Sequence, residues 1–124
     1  MNTGITGAHT IVYAQDADAA RTFFRDVLGW PHVDAGARWL IFRSPPGELA
    51  LHPAEGPESG RSELYLMCAD LDATVADLRA RGVDVDENVH EERWGRVTTL
   101  KVPGAGRIGL YEPRHPVAYD LPPA

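Results

Sequence analysis

The chain has 124 residues, a net charge of −6 and 44% hydrophobic content, which bounds it to one compact domain or two intimately packed half-domains. Its only lysine is Lys101 and its arginines are scattered, with Arg79 and Arg81 closing a helix where cations suit the dipole, so clustered phosphate neutralisation on a nucleic acid is excluded. No apolar run approaches the roughly 20 residues that span a bilayer, and residues 1–8 carry neither a basic segment nor an apolar core, so no signal peptide and a cytoplasmic location are expected.

In chain order, residues 8–14 read as a first strand, rich in β-branched and aromatic side chains. Asp16 or Asp18 caps a helix running to about Leu28, with Phe23, Phe24, Val27 and Leu28 at three- and four-residue spacing. Gly29 supplies its left-handed stop. Residues 30–33 read as a short strand, 38–42 as a stronger one, Ser44 to Gly47 as a turn, and 48–52 as the strand that completes the unit. Residues 53–61, rich in Pro, Gly and charge, are a linker.

Residues 63–69 then read as a strand, 71–81 as a helix with Leu71, Val75 and Leu78 on one face, and 83–85 as a short strand. Glu91 to Arg96, mixed charge around Trp94 and then Gly95, reads as a loop entering a strand and placed to cover a mouth of any site. Residues 93–102 and 107–112 form a hairpin around Pro103 to Gly106. The proline-rich tail, 113–124, is irregular and suited to strapping across a neighbour. Cys68 is the sole cysteine, so no disulfide framework or thiolate zinc site exists, and in an apolar strand it reads as a small buried hydrophobe. His32, His90 and His115 fall in no informative pattern.

The second half repeats the plan of the first. His9 falls on Glu63, Asp16 on Asp70 and Asp18 on Asp72 at one constant offset, each copy being an alternating strand, an acidic cap and a helix that ends at glycine. A unit of about 60 residues is marginal alone. Two such units, and two chains, are therefore expected to share buried surface as a homodimer, with an interface above ~2,000 Å² in total.

His9 at the head of the first strand, the Asp16-to-Gly29 helix with Phe23-Phe24 and Val27-Leu28-Gly29, and Ile108-Gly-Leu-Tyr-Glu-Pro113 as the last strand carry a resemblance to the vicinal oxygen chelate superfamily. That group includes glyoxalase I, extradiol dioxygenases, fosfomycin resistance enzymes and bleomycin-binding proteins. The resemblance covers residues 8–113 and implies an α+β fold, in which two βαβββ modules (8–52 and 62–112) form a U-shaped mixed-sheet trough with helices outside. It also implies a homodimer and, in metal-binding members, ligands at four symmetry-related positions. Here those positions read His9, Ala50, Glu63 and Gly109. With Ala50 and Gly109 lacking donors, and the usual Asp-Pro-x-Gly-Asn turn replaced by Val102-Pro-Gly-Ala-Gly106, glyoxalase I and extradiol dioxygenase activities are disfavoured.

Strand alternation sorts the remaining residues. The face that carries His9 carries Tyr13, that of Ala50 carries Glu48 and His52, that of Glu63 carries Tyr65 and Met67, and that of Gly109 carries Arg107 and Tyr111. With Trp39 and Trp94, the candidate ligand-binding set is Tyr13, Trp39, Glu48, His52, Tyr65, Met67, Trp94, Arg107 and Tyr111. His9, Glu63 and His52 are the candidate ligands of one divalent metal ion; no nucleotide or organic cofactor is called for, and no catalytic residue is assigned. Two functions stay open. One is a binder of a hydrophobic or aromatic small molecule held in the trough. The other is a metal-dependent lyase, isomerase or dioxygenase with a reduced ligand set, in which the metal acts as a Lewis acid.

Overall fold

A computed structural model describes residues 9–54 and 56–122. Residues 1–8, with the start of the expected first strand, and the last two residues of the tail lie outside that description, as does Glu55 of the linker. The elements run α1 (Ala17–Thr22), a π-helical turn (Phe23–Val27), β1 (His32–Asp34), β2 (Leu40–Phe42), β3 (Tyr65–Met67), α2 (Leu71–Ala80), β4 (His90–Glu92), β5 (Gly95–Val102) and β6 (Gly106–Pro113). The protein is α+β, with a two-stranded sheet β1-β2 and a four-stranded mixed sheet in the order β3-β6-β5-β4. None of the described helices is long and apolar enough to cross a membrane.

The second half is a complete βαβββ module. Asp70 caps α2 by accepting the Ala73 N–H at 3.1 Å, and the Glu112 carboxylate of β6 accepts the Leu71 N–H at 2.9 Å. Two of the donors that a helix start leaves unpaired are thereby satisfied. At the other end Gly82 takes φ +84°, and the Gly82 and Val83 N–H groups donate to the Arg79 and Leu78 carbonyls. This is the paired closure that a left-handed residue permits, with Leu78 and Val83 both buried beside it.

β5 and β6 are antiparallel in the register Leu100↔Ile108, Thr98↔Leu110 and Val97↔Tyr111, while β3 joins β6 in parallel with Tyr65↔Gly109. Alternation along these strands divides two faces. Leu100, Val102, Ile108 and Leu110 join Leu71 and Leu78 of α2 in the core, to which α1 and its extension add Ala20 and Phe23. Thr98 is buried among them, with its hydroxyl spent on the Asp86 and Asn88 carbonyls. The other face of the sheet, turned away from α2, carries Tyr65, Met67, Arg107, Gly109 and Tyr111.

The first half departs from the expected plan. Its helix is capped as foreseen, with the Asp16 carboxylate accepting the Ala19 N–H at 3.0 Å, and its hairpin is present in the short strands β1 and β2. Among the described residues, however, 9–14 and 48–52 belong to no helix or strand. Tyr13, Leu49 and Leu51 are 89%, 87% and 88% exposed. A strand needs a neighbouring edge to accept its hydrogen bonds, and neither segment meets one among the described residues. Two smaller corrections concern the second half. Of residues 83–85, only Val85 bridges, to Leu100. Glu91 to Arg96 is a hairpin rather than a free loop, with Glu92↔Gly95 closing a turn at Arg93 and Trp94.

The halves are joined at a close contact. The Asp16 N–H donates to the Gly104 carbonyl at 2.9 Å. Gly104 itself has φ +81°, and a side chain there would strike the Asp16 backbone. Arg81, at the end of α2, also donates to the Val27 carbonyl at the end of the first helix, at 3.3 Å.

Candidate functional site

On the open face, two tyrosine rings lie over two glycines. The Tyr65 ring occupies the place where a side chain on Gly109 would begin, and the Tyr111 ring lies against Gly95, 3.3 Å from the position of a Cβ there. Tyr65 meets Tyr111 edge to face at a centroid separation of 6.0 Å, and Trp94 of the β4–β5 turn meets it likewise at 5.3 Å. Such pairings place a ring's positive edge on its neighbour's negative face. Tyr65 and Trp94 stay about two-fifths exposed, whereas Tyr111 between them is 9% exposed. The cluster is thus a floor with two raised walls.

Tyr111 is also the centre of a polar junction. Its hydroxyl donates to Glu48 Oε1 at 2.9 Å, and His115 Nε2 lies 3.3 Å from the Tyr111 hydroxyl oxygen. The Ala118 N–H of the tail donates to Glu48 Oε2 at 2.9 Å. The tail's backbone hydrogen bond is the main reason the Glu48 carboxyl is held below its ordinary range, with Tyr111 and His115 adding to it against the opposing effect of burial. Burial first, and the Glu48 carboxylate second, push the Tyr111 phenol up to about 12. The hydroxyl therefore stays protonated and donates at every physiological pH. The Tyr65 phenol is raised by burial and by Glu63, to which it donates at 3.2 Å.

Tyr65, Trp94, Tyr111 and Glu48 are therefore brought together, with Met67 beside Tyr111 in the strand register. Arg107 shares the face but is stapled down, donating to Thr99 Oγ1 at 2.9 Å and pairing with Asp84 at 3.5 Å. Tyr13 lies elsewhere, lining an open cleft of about 570 Å³ with Gln15, Asp16 and Gly104 to Gly106. Trp39 stands half exposed just before β2, its N–H bonded to Gly36 and its carbonyl to Ala35. His115 is the residue that sequence reasoning missed. It lies between Arg114 and Pro116 in a tail without periodicity, so no local signal pointed to it.

The metal set fares differently. Among the described residues, no three His, Cys, Asp or Glu side chains are grouped so as to hold a metal ion. His9 and His52 sit exposed on the unpaired segments, and Glu63 is engaged by Arg61 at 3.0 Å and by the Tyr65 hydroxyl. At Gly109 the ring of Tyr65 stands where a donor would have to project. Within one chain these residues do not fit a metal centre. The interlock has a checkable cost: Gly109→Ala is expected to displace the Tyr65 ring and lower stability by about 1–3 kcal/mol, as overpacking does. Urea unfolding would measure this, together with a changed near-ultraviolet tyrosine spectrum.

Residues 7–113 match the model of the Glyoxalase/Bleomycin resistance protein/Dioxygenase superfamily. Among solved structures, TnmS3, an antibiotic-binding protein from Streptomyces sp. CB03234, is 28% identical with a TM-score of 0.60, over 90% of this chain and 99% of that one. A glyoxalase/bleomycin resistance protein from the same organism is 30% identical with a TM-score of 0.52, over 81% of this chain and 94% of that one. Lactoylglutathione lyase from Agrobacterium tumefaciens shares the fold at 21% identity and a TM-score of 0.60, over 86% and 92% of the two chains. No curated protein matches the sequence. With the match spanning nearly the whole chain, and both the sheet order and the two capped helices in place, the chain belongs to the Glyoxalase/Bleomycin resistance protein/Dioxygenase superfamily.

Proposed function

We propose that this chain is a cytoplasmic small-molecule-binding member of its superfamily, which holds a planar, largely apolar ligand against Tyr65, Trp94 and Tyr111 without a metal ion. The observation that carries this reading is the seating of the Tyr65 ring over Gly109, which puts an aromatic wall where a metal-binding site needs a donor. The aromatic surface left exposed at Tyr65 and Trp94 suits a flat ligand. The likeness to an antibiotic-binding protein at 28% identity supports an antibiotic-like aromatic compound as the ligand class.

The same reading makes the working unit a homodimer. Residues 9–14 and 48–52 belong to no strand among the described residues and leave Ile11, Tyr13, Leu49 and Leu51 exposed, and a second copy supplies both the edge and the cover they lack. The test takes untagged protein through elemental analysis, sedimentation at micromolar concentration, and fluorescence titration with planar aromatic compounds. We expect no stoichiometric metal, a dimer, and saturable binding that Trp94→Ala weakens about tenfold, consistent with loss of an aromatic contact and its buried area. One equivalent of bound metal, with His9→Ala or Glu63→Ala abolishing it, would instead establish the metal-dependent enzyme. A stable monomer would remove the dimer.

A further inference from the structure

The polar groups around the aromatic cluster share one character. Both phenols give their protons to carboxylates, Tyr65 to Glu63 at 3.2 Å and Tyr111 to Glu48 at 2.9 Å. Each hydroxyl therefore offers a ligand lone pairs rather than a proton. A phenol that donates to an anion is also polarised toward its ring, and the face of an aromatic ring attracts cations. The exposed parts of Tyr65 and Trp94 thus form a surface biased toward positive charge.

Glu48 carries the bias furthest. Its side chain is 15% exposed, and a carboxylate so far out of water is ordinarily paired with a cation. Its two short hydrogen bonds come instead from neutral donors, the Tyr111 hydroxyl and the Ala118 N–H, each at 2.9 Å. Among the described residues its one basic neighbour is His115, whose Nε2 lies 3.7 Å from Oε1. The nearby arginines answer to other carboxylates. Arg107 pairs with Asp84 at 3.5 Å, Arg114 with Glu91 at 2.6 Å, and Arg61 with Glu63 at 3.0 Å. Glu92, opposite Gly95 in the register, adds a further carboxylate to the open face. The exposed Arg93 follows it in the turn. At −6, the whole chain draws cations toward itself.

We propose that the trough selects a planar aromatic cation, its delocalised charge lying against Tyr65 and Trp94 and its positive end reaching Glu48. This rests on the trough being the binding site and names the charge class of its ligand. The ligand supplies the counterion that the fold withholds from Glu48, and its ring system covers the aromatic side chains. An anionic compound meets the reverse, carboxylates behind both phenols and no free phenolic proton. A neutral one keeps the stacking and forgoes the attraction of charge.

The test compares two dyes on one ring system, cationic Nile blue and its uncharged carbonyl analogue Nile red, by fluorescence titration of the full chain. The titrations are run at low salt and about pH 8, the upper end of the range over which histidine ordinarily titrates. Nile blue is expected to bind about tenfold more tightly than Nile red. Glu48→Gln, its fold checked by circular dichroism, should lower the ratio of the two affinities about tenfold. Should that variant fail to fold, Glu63→Gln, at an exposed pair, should lower the ratio about threefold. Nile red binding as tightly as Nile blue, and still weakened by Trp94→Ala, overturns the charge selection and leaves the trough as a binding site. A preference for Nile blue that survives in the folded glutamine variants also overturns it, since the net charge of the chain then accounts for the preference. Failure of both dyes to bind removes the binding reading and the selection together.

Discussion

Leu100→Ala is expected to lower unfolding free energy by about 2–5 kcal/mol, the range for truncating a buried leucine, and on that scale much of a small domain's total stability. Leu100 has no solvent exposure, faces Ile108 across the β5–β6 ladder and packs among Leu71, Leu78 and Val102. The regular sheet on one side and α2 on the other leave little freedom to collapse into the void. Urea denaturation followed by circular dichroism measures the loss. Glu63→Ala is the contrast. Its partner Arg61 and the carboxylate are both more than half exposed, so the pair is screened and contributes little. A result in which both substitutions destabilise equally would mean that the core does not lie between α2 and the sheet.

Gly104→Ala is the second large effect. A methyl group at this position meets the Asp16 backbone rather than a movable side-chain tip, and the φ of +81° disfavours any L side chain. Either the β5–β6 turn or the start of α1 must move, and the 2.9 Å bond from the Asp16 N–H to the Gly104 carbonyl breaks with it. Strain and a lost backbone hydrogen bond together cost about 2–4 kcal/mol. The loss should be localised: limited proteolysis would cut within residues 17–30 before it touches β5 or β6. A variant whose first helix stays as resistant as the natural one would show that Gly104 does not join the halves.

Much of this fold is legible in the sequence where the signal is local. Asp70, the Leu71-Val75-Leu78 spacing and Gly82 specify α2 from cap to stop. The alternation Arg107, Ile108, Gly109, Leu110, Tyr111 sorts the last strand into a core face and an open face. Legibility fails where the partner is remote. Residues 9–14 have a strand's composition, but a strand is a relation to a neighbouring edge, and composition does not say whether the same chain offers one. Tyr65 and Gly109 interlock across parallel strands, so neither residue announces the other. Glu48 lies outside the described strands, and its donors come from Tyr111 and from a tail that has no periodicity to read.

The unequal halves also set an order of events at birth. The core draws Ala20 and Phe23 from the first half and all its other fully buried members from residue 71 onward. The half that leaves the ribosome first therefore has almost nothing of its own to fold around. At synthesis rates of about 5–20 residues per second, α1 and the β1–β2 hairpin must wait several seconds for β5 and β6. During that interval Phe24, Trp30 and Phe42, which pack on one another at 4.9 Å and 5.8 Å, are the first half's main shelter from water. Nascent chains arrested before Gly104 should be prime clients of holding chaperones, and release past Pro113 should end that dependence.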